Sequence, residues 1–76
     1  MVRWMPCKRK DFIKKLRRLG FEPPEPGGKH FYMRHGTFTF TLPSNAEFSI
    51  PQLRTLLKEI ELGFHRKIPL TEWQDL

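Results

Sequence analysis

Residues 27–42 read GGKHFYMRHGTFTFTL. Two runs rich in aromatic and β-branched residues flank Arg34-His35-Gly36, which predicts a β-hairpin that turns at these three residues, with Gly36 able to adopt a positive φ. Because strand side chains alternate between faces, the hairpin has one apolar and one polar face. The apolar face receives Phe31, Met33, Phe38, Phe40 and Leu42, and the polar face receives His30, Tyr32, Arg34, Thr37, Thr39 and Thr41. We therefore expect one core face and one polar face that carries a histidine just after a glycine pair.

The composition limits the class of protein. A chain of 76 residues makes one small domain, and its seven Phe and two Trp supply bulky core side chains. The single cysteine, Cys7, excludes an internal disulfide and a cysteine metal cluster, and the three histidines show no ligand spacing. We expect no metal or cofactor. No stretch reads as a signal peptide or a transmembrane segment, so we expect a cytoplasmic protein.

Positive charge is concentrated near the start of the chain. Residues 1–20 hold eight Lys/Arg and one Asp, which gives +7, whereas the remaining residues hold six Lys/Arg and seven Asp/Glu, which gives −1. Such a patch suits a polyanion, although a solvated helix face is the alternative interpretation.

Apolar spacing predicts two helices. The first spans about residues 7–19 and ends before Gly20, with basic side chains outside its apolar stripe. The second begins with a capping box of Ser49 and Gln52 and runs to about Leu62, where Gly63 can end it. A basic amphipathic helix can also lie on a membrane surface, but the strands offer the first helix a better partner.

The connecting segments carry weaker signals. Residues 1–6 are predicted to be irregular, and residues 21–22 to start a short strand that the following prolines stop. Gly27 and Gly28 permit close approach of the backbone to a neighbour or ligand. Residues 43–47 are predicted to form a loop. A capping-box pattern at Thr71–Gln74 predicts a final turn or short helix whose Trp73 docks on the body.

The order of these elements predicts an α+β fold in which both helices cover one face of an antiparallel sheet and the other face stays open. This layout resembles double-stranded RNA-binding domains (dsRBD-like folds).

The chain resembles the HicA family, also described as YcfA-like, which are the toxins of HicA/HicB toxin–antitoxin pairs. The most specific similarity is the Gly-Lys-His element at 28–30, which follows a Leu-Gly-Phe helix end at 19–21. The other matching stretches are Pro6, 8–16, 39–43 and 50–60, and residues 70–73 look like the acidic Trp-containing tail of one subfamily. The resemblance implies an α-β-β-β-α fold and a single HicA-like domain over residues 1–76, with 64–76 as a C-terminal extension.

The resemblance also implies an activity. HicA-like toxins are small mRNA interferases with one essential histidine in a Gly-x-His motif, which corresponds to His30 here, with Gly28 as the motif glycine. A HicB-like antitoxin typically covers this histidine. The chain departs from the family pattern in the loop after the last strand, where Ser44-Asn45-Ala46-Glu47 stands instead of a histidine or basic residue, and in a longer Gly63–Pro69 connector.

RNA cleavage of this kind uses the 2′-OH beside the scissile phosphate as nucleophile. Histidine side chains titrate at about pH 6.5, so His30 would take the 2′-OH proton or protonate the leaving oxygen, giving a 2′,3′-cyclic phosphate. Lys29 and Arg34 would stabilise phosphate charge, and Tyr32 would hydrogen-bond to or stack on a base. The RNA-binding residues predicted on the basic segment are Lys8, Lys10 and Lys14.

Two alternatives stay open: a noncatalytic RNA-binding module of the same fold and a pure protein-interaction module. The expected partners are mRNA and a HicB-like antitoxin, with the chain a monomer alone or part of a heteromeric complex with the antitoxin, and no membrane. Three other residues are predicted to have no chemical role: His35 as a turn residue, His65 as part of the tail, and Cys7 as a bystander at the start of the first helix.

Overall fold

The computed structural model of the protein describes residues 3–76, so Met1 and Val2 of the predicted irregular segment lie outside the described residues. The helices are α1 (Arg9–Arg18), α2 (Ile50–Phe64) and α3 (Leu70–Asp75), and the strands are β1 (Cys7–Lys8), β2 (Glu25–Gly27), β3 (His30–His35), β4 (Phe38–Leu42) and β5 (Glu47–Phe48). Strands β2, β3 and β4 form an antiparallel sheet in that order, and β1 pairs with β5. The predicted α+β fold, with three sheet strands between α1 and α2, is confirmed.

The β3–β4 hairpin confirms the predicted centre of the fold. Met33 lies opposite Phe40, and both are almost fully buried. The predicted position of the turn is wrong, because His35 still pairs with Phe38 and the turn consists of Gly36 and Thr37. Gly36 has φ 59°, as the first central residue of a type II′ hairpin turn requires.

A second tight hairpin, β2–β3, was not predicted. The expected strand at residues 21–22 does not form, and pairing instead occurs in the proline-containing segment Glu25–Gly27. Pro26 is tolerated because β2 is an edge strand with only one neighbour to bond. The prediction that the prolines stop pairing is therefore wrong, and Gly28 and Lys29 form the turn between β2 and β3.

The first helix is shorter than predicted at its start. Cys7 and Lys8 are extended and pair with Phe48 and Glu47, so the predicted loop at 43–47 ends in a strand. Two-residue strands leave no period in the sequence, which is why they were missed. At the other end, Gly20 has φ 106° and follows the helix as predicted.

The second helix starts as predicted and ends later. The Ser49 hydroxyl accepts a hydrogen bond from the Gln52 backbone N–H at 3.3 Å. The helix continues through Gly63 to Phe64, and His65 caps it in the left-handed conformation, with φ 60°. Gly63 therefore does not end the helix. Instead it makes room for the ring of Phe38, whose carbons would lie 2.5 Å from an added Cβ.

The core lies between the helices and the apolar face of the sheet. It consists of Cys7, Phe12, Leu16, Phe21, Met33, Phe40, Leu42, Phe48, Leu53, Leu56, Leu57, Ile60, Ile68 and Trp73. Helices α1 and α2 both contribute to it, and the threonines at 39 and 41 on the other sheet face are exposed, as predicted. Phe31 is the exception on the apolar face, because 45% of its surface is exposed.

The C-terminal helix confirms the predicted docking of Trp73. Its ring centroid lies 5.5 Å from that of Phe12, and the residue is 3% exposed. The predicted capping box at Thr71 does not form, because the helix starts earlier and its N-cap is Pro69. Gln74, the other residue of that capping box, instead donates its side-chain amide N–H to the Arg3 carbonyl oxygen at 2.8 Å, and Glu72 forms an ion pair with Arg66.

Candidate active site

His30 is the first residue of β3 and directly follows the Gly28-Lys29 turn. It pairs with Gly27 across the β2–β3 hairpin and is exposed. It lies in a groove of about 410 Å³, which we call the His30 groove, lined by Arg9, Lys29, His30, Phe31, Leu42, Ser44 and Ala46. The structure thus brings the predicted residues Lys29 and His30 together with the start of α1 and with the loop that follows β4.

The two glycines before His30 have different structural roles. Gly28 has φ 76°, a conformation that glycine adopts without strain, and it allows the two-residue turn that begins β3. At Gly27 an added Cβ would collide with the ring of Tyr32. The close approach predicted at Gly27 is therefore made to Tyr32 of the same chain.

Arg9 is a groove residue that the sequence analysis did not single out. Its Nε donates a hydrogen bond to the Pro43 carbonyl oxygen at 3.1 Å, and its Cζ lies 5.4 Å from the centroid of the Phe31 ring. The backbone N–H of Arg9 also donates to the Ala46 carbonyl oxygen at 2.9 Å. The only signal in the sequence was its place among eight basic residues, which did not distinguish it from its neighbours.

Tyr32 and Arg34 share the polar side of β3 with His30 but do not line the His30 groove. Tyr32 is half-buried over Gly27. The Nε of Arg34 forms an ion pair with Glu25 Oε1 at 2.7 Å, and both side chains are largely exposed. The proposed contacts of Tyr32 and Arg34 with RNA stay predictions.

The predicted RNA-binding lysines lie together in a second groove, of about 610 Å³, which we call the lysine groove. Its lining is Pro6, Cys7, Lys8, Lys10, Asp11, Lys14, Lys15, Arg18, Glu47 and Leu76. It therefore presents five cationic and two acidic side chains, without an aromatic or histidine side chain. Lys15 is anchored there, because its Nζ donates to the Trp73 carbonyl oxygen at 2.7 Å.

Cys7 lies in this lysine groove, in β1 rather than at a helix start. Burial raises the pKa of its thiol and outweighs the opposing effect of the Lys15 charge. The side chain therefore stays a thiol at neutral pH, which is unfavourable for a nucleophile. This supports the prediction that Cys7 has no chemical role.

The other two histidines have structural positions: His35 packs against aromatic rings, and His65 caps a helix. His35 is the last residue of β3 instead of a turn residue, and its ring centroid lies 4.5 Å from that of Phe64 and 5.4 Å from that of Phe21. His65 is the C-cap of α2.

Over residues 3–76, no three His, Cys, Asp or Glu side chains are grouped as metal binding would require. No helix within the same range combines the length and apolar character needed to cross a membrane.

Comparison with known proteins identifies one family model that matches the chain. The family model described as HicA toxin of bacterial toxin–antitoxin matches residues 9–62, which are 54 of the 76 residues and include Arg9, Lys29 and His30. No curated protein and no solved structure gives a significant match. The matched range runs from the first residue of α1 to near the end of α2 and so includes the whole three-stranded sheet. The chain therefore belongs to the HicA toxin family of bacterial toxin–antitoxin systems.

Proposed function

We propose that this toxin is an endoribonuclease, an mRNA interferase, that cleaves messenger RNA without a metal ion and uses His30 to move the reacting proton. The observation that carries the proposal is the His30 groove: an exposed imidazole in a groove that the cationic residues Arg9 and Lys29 also line. The family supplies the wider context, because HicA toxins are generally ribonucleases.

The chemistry needs few protein groups because the substrate provides the nucleophile. The 2′-oxygen forms a bond to phosphorus, and the bond from phosphorus to the 5′-oxygen breaks, giving a 2′,3′-cyclic phosphate and a 5′-hydroxyl. One proton leaves the 2′-OH and one joins the departing 5′-oxygen; His30 carries one of these transfers, and solvent water exchanges the other proton. The cations of the groove stabilise the negative charge that develops on the phosphate.

One observation favours the noncatalytic RNA-binding module as a second candidate. The loop after β4 lines the His30 groove with Ser44 and Ala46, so this edge of the groove has no second imidazole to exchange a proton. A groove with one imidazole and two cations also suits RNA binding alone, in which case His30 donates a hydrogen bond to the phosphate.

The test is cleavage of a long labelled RNA, with EDTA present, by the wild-type protein, His30→Ala and the control His65→Asn. Asparagine tolerates the left-handed conformation at position 65, so the control removes an exposed imidazole and keeps the helix end. We expect His30→Ala to lower the cleavage rate about 10²- to 10⁴-fold, with RNA affinity within about threefold of wild type. The control should cleave at the wild-type rate.

Three other outcomes have clear meanings. If His30→Ala cleaves as fast as wild type, His30 is not the proton-transfer group. If the wild type binds RNA without cutting it, the RNA-binding module is correct. If it neither binds nor cuts RNA, the protein is an interaction module.

We further propose that a HicB-like antitoxin inhibits the toxin by covering the His30 groove, and that both act in the cytoplasm. HicA toxins pair with HicB antitoxins, which supports this proposal. The chain alone would be a monomer, and residues 64–76 would extend a single HicA-like domain.

A further inference from the structure

We infer that Arg9 is a catalytic residue of the His30 groove, where its guanidinium binds the non-bridging oxygens of the phosphate that is attacked. The inference rests on the proposed ribonuclease function and adds to it a second functional group at the scissile phosphate.

The Arg9 side chain is held in one orientation. The guanidinium is held by the hydrogen bond from its Nε to the Pro43 carbonyl oxygen, 3.1 Å long, and by the ring of Phe31, 5.4 Å from its Cζ. The backbone of Arg9 is fixed as well, by its bond to Ala46. An arginine held in this way loses little conformational freedom when it binds a ligand.

The Arg9 guanidinium has more donors than its bond to Pro43 uses. A guanidinium carries five N–H groups, and the hydrogen bond to Pro43 uses the one on Nε. The two terminal nitrogens keep the other four, arranged as a planar fork that matches two oxygens of one phosphate. Phe31 also lines the His30 groove and is partly exposed there, so a nucleotide has space to bind next to the guanidinium.

The positive charge of Arg9 has no carboxylate partner among the ion pairs of residues 3–76. In residues 3–76 the ion pairs are Arg34 with Glu25 and Arg66 with Glu72, so no carboxylate neutralises Arg9. Arg34, by contrast, already has a carboxylate at 2.7 Å. Arg9 is thus better placed than Arg34 to bind an anionic ligand beside His30.

The role must be electrostatic because arginine stays protonated at neutral pH and cannot donate its proton as an acid. The phosphate gains negative charge on its non-bridging oxygens as the 2′-oxygen attacks, and an oriented guanidinium stabilises that charge more than it stabilises the ground state. Arg9 thus adds electrostatic stabilisation to a groove that holds a single imidazole.

The test compares Arg9→Gln, Arg9→Lys and the control Arg17→Gln, which removes the same charge from an exposed position of α1 outside both grooves. Two quantities are measured: the single-turnover cleavage rate and the affinity for a 2′-O-methyl RNA, which lacks the nucleophile. We expect Arg9→Gln to lower the rate about 10²- to 10³-fold, as loss of one charge-stabilising donor does. The cleavage rate of Arg9→Lys should fall at least about tenfold, because lysine keeps the charge but lacks the planar fork of N–H donors. The rate of Arg17→Gln should fall less than about twofold.

Thermal unfolding of each variant separates loss of chemistry from loss of fold. If Arg9→Gln unfolds because the hydrogen bond to Pro43 is lost, the cleavage rate of Arg9→Lys is measured instead, at a temperature where that variant is folded. That rate then decides whether Arg9 acts in catalysis. Rates of the folded Arg9 variants within about threefold of Arg17→Gln would overturn the inference, and the ribonuclease function would still stand if His30→Ala were inactive.

If the wild type does not cleave RNA, the proposed function fails and the 2′-O-methyl RNA decides the role of Arg9. A loss of affinity of about tenfold in Arg9→Gln, without a similar loss in Arg17→Gln, would support phosphate binding. Equal losses in the two variants would overturn it.

Discussion

The His30 groove and the lysine groove differ in kind, although Lys8 and Arg9, which line one groove each, are consecutive residues. In the His30 groove the arginine is oriented by a carbonyl oxygen and an aromatic ring, and an imidazole lines the same groove. In the lysine groove most of the charge is on flexible lysine side chains, next to the carboxylates of Asp11 and Glu47. Equal charge in neighbouring residues therefore does not mean an equal role.

The two grooves suit two steps of RNA recognition. Ammonium groups on flexible stems attract a polyanion over roughly the Debye length, about 8 Å at physiological salt, and they do so without regard to sequence. An oriented guanidinium beside an imidazole acts on one phosphate at contact distance. We expect the lysine groove to set affinity and salt dependence and the His30 groove to set the rate of cleavage.

The largest effect on RNA affinity should come from neutralising the lysine groove. Replacing Lys8, Lys10 and Lys14 by Gln should lower RNA affinity about 10- to 100-fold at low salt. The plot of log K against log salt should also become less steep, by about 0.7 for each contact with single-stranded RNA that is lost. The cleavage rate at saturating RNA should stay within about threefold of wild type. A salt titration of binding and a saturation curve of cleavage measure the two effects.

The control for this triple variant removes the same charge elsewhere, with Gln at Arg17, Lys58 and Lys67, all exposed and outside both grooves. If the control loses as much affinity as the triple variant, RNA responds to net charge alone and the lysine groove has no special role. A fall in the saturated rate would mean that the two grooves are not separate.

A smaller effect, on the hairpin that carries His30, is expected for Gly27→Ala. The added Cβ collides with the Tyr32 ring, so the ring or β2 must move, at a cost of about 1–3 kcal/mol in the free energy of unfolding. Cleavage should fall because Gly27 pairs with His30, whereas RNA affinity should change less than about threefold. Denaturant unfolding and cleavage assays measure these changes.

A Tyr32→Ala background is the matched control for Gly27→Ala. With the ring removed, the alanine at position 27 should cost clearly less stability than it does beside tyrosine. Equal costs in the two backgrounds would show that the collision does not determine the glycine at this position.

The smallest effect is expected outside both grooves, at the Arg66–Glu72 ion pair. Its hydrogen bond with Arg66 lowers the pKa of Glu72 from the ordinary value of 4.5. A carboxyl with a lowered pKa in the folded state stabilises the fold above its ordinary pKa, and this contribution is lost as pH falls through the lowered value. Glu72→Gln should therefore melt slightly below wild type at pH 6 and coincide with it at strongly acidic pH.

The comparison for Glu72→Gln is a melting curve at each pH together with cleavage at neutral pH. Cleavage should be unchanged because Glu72 lines neither groove. A difference in melting temperature that grows as the pH is lowered would contradict the assigned direction of the pKa shift.

The parts of the fold that were predicted carry a repeating pattern. The apolar stripe of α1, the Ser49 cap of α2 and the alternation in β3 and β4 each involve several residues at regular spacing, and each was confirmed. The two-residue strands β1 and β5 and the proline-containing β2 have no such repeat, and all three were missed. Their pairing depends on partners elsewhere in the chain.

The same distinction applies to the candidate site. His30 and Lys29 were identified because they stand next to each other after a glycine pair in a motif that resembles a family. Arg9 was not, because it reaches the groove through Pro43, Ala46 and Phe31, which lie more than twenty residues away in the chain. Gly63 was predicted to end the helix because its neighbours in the sequence give no other reason for a glycine. The reason is the ring of Phe38, which occupies the space that a side chain at position 63 would need and which also lies far away in the chain.

By itself the sequence predicted the class of fold and the hairpin at its centre, because these follow from local periodicity, and it offered His30 as a candidate because the motif around it resembles a family. The tertiary structure alone decided which of the basic residues lies beside that histidine. Two neighbours of equal charge, Lys8 and Arg9, line different grooves because the chain changes from strand to helix between them. The contacts that orient Arg9 exist only once the loop after β4 has folded against the start of α1.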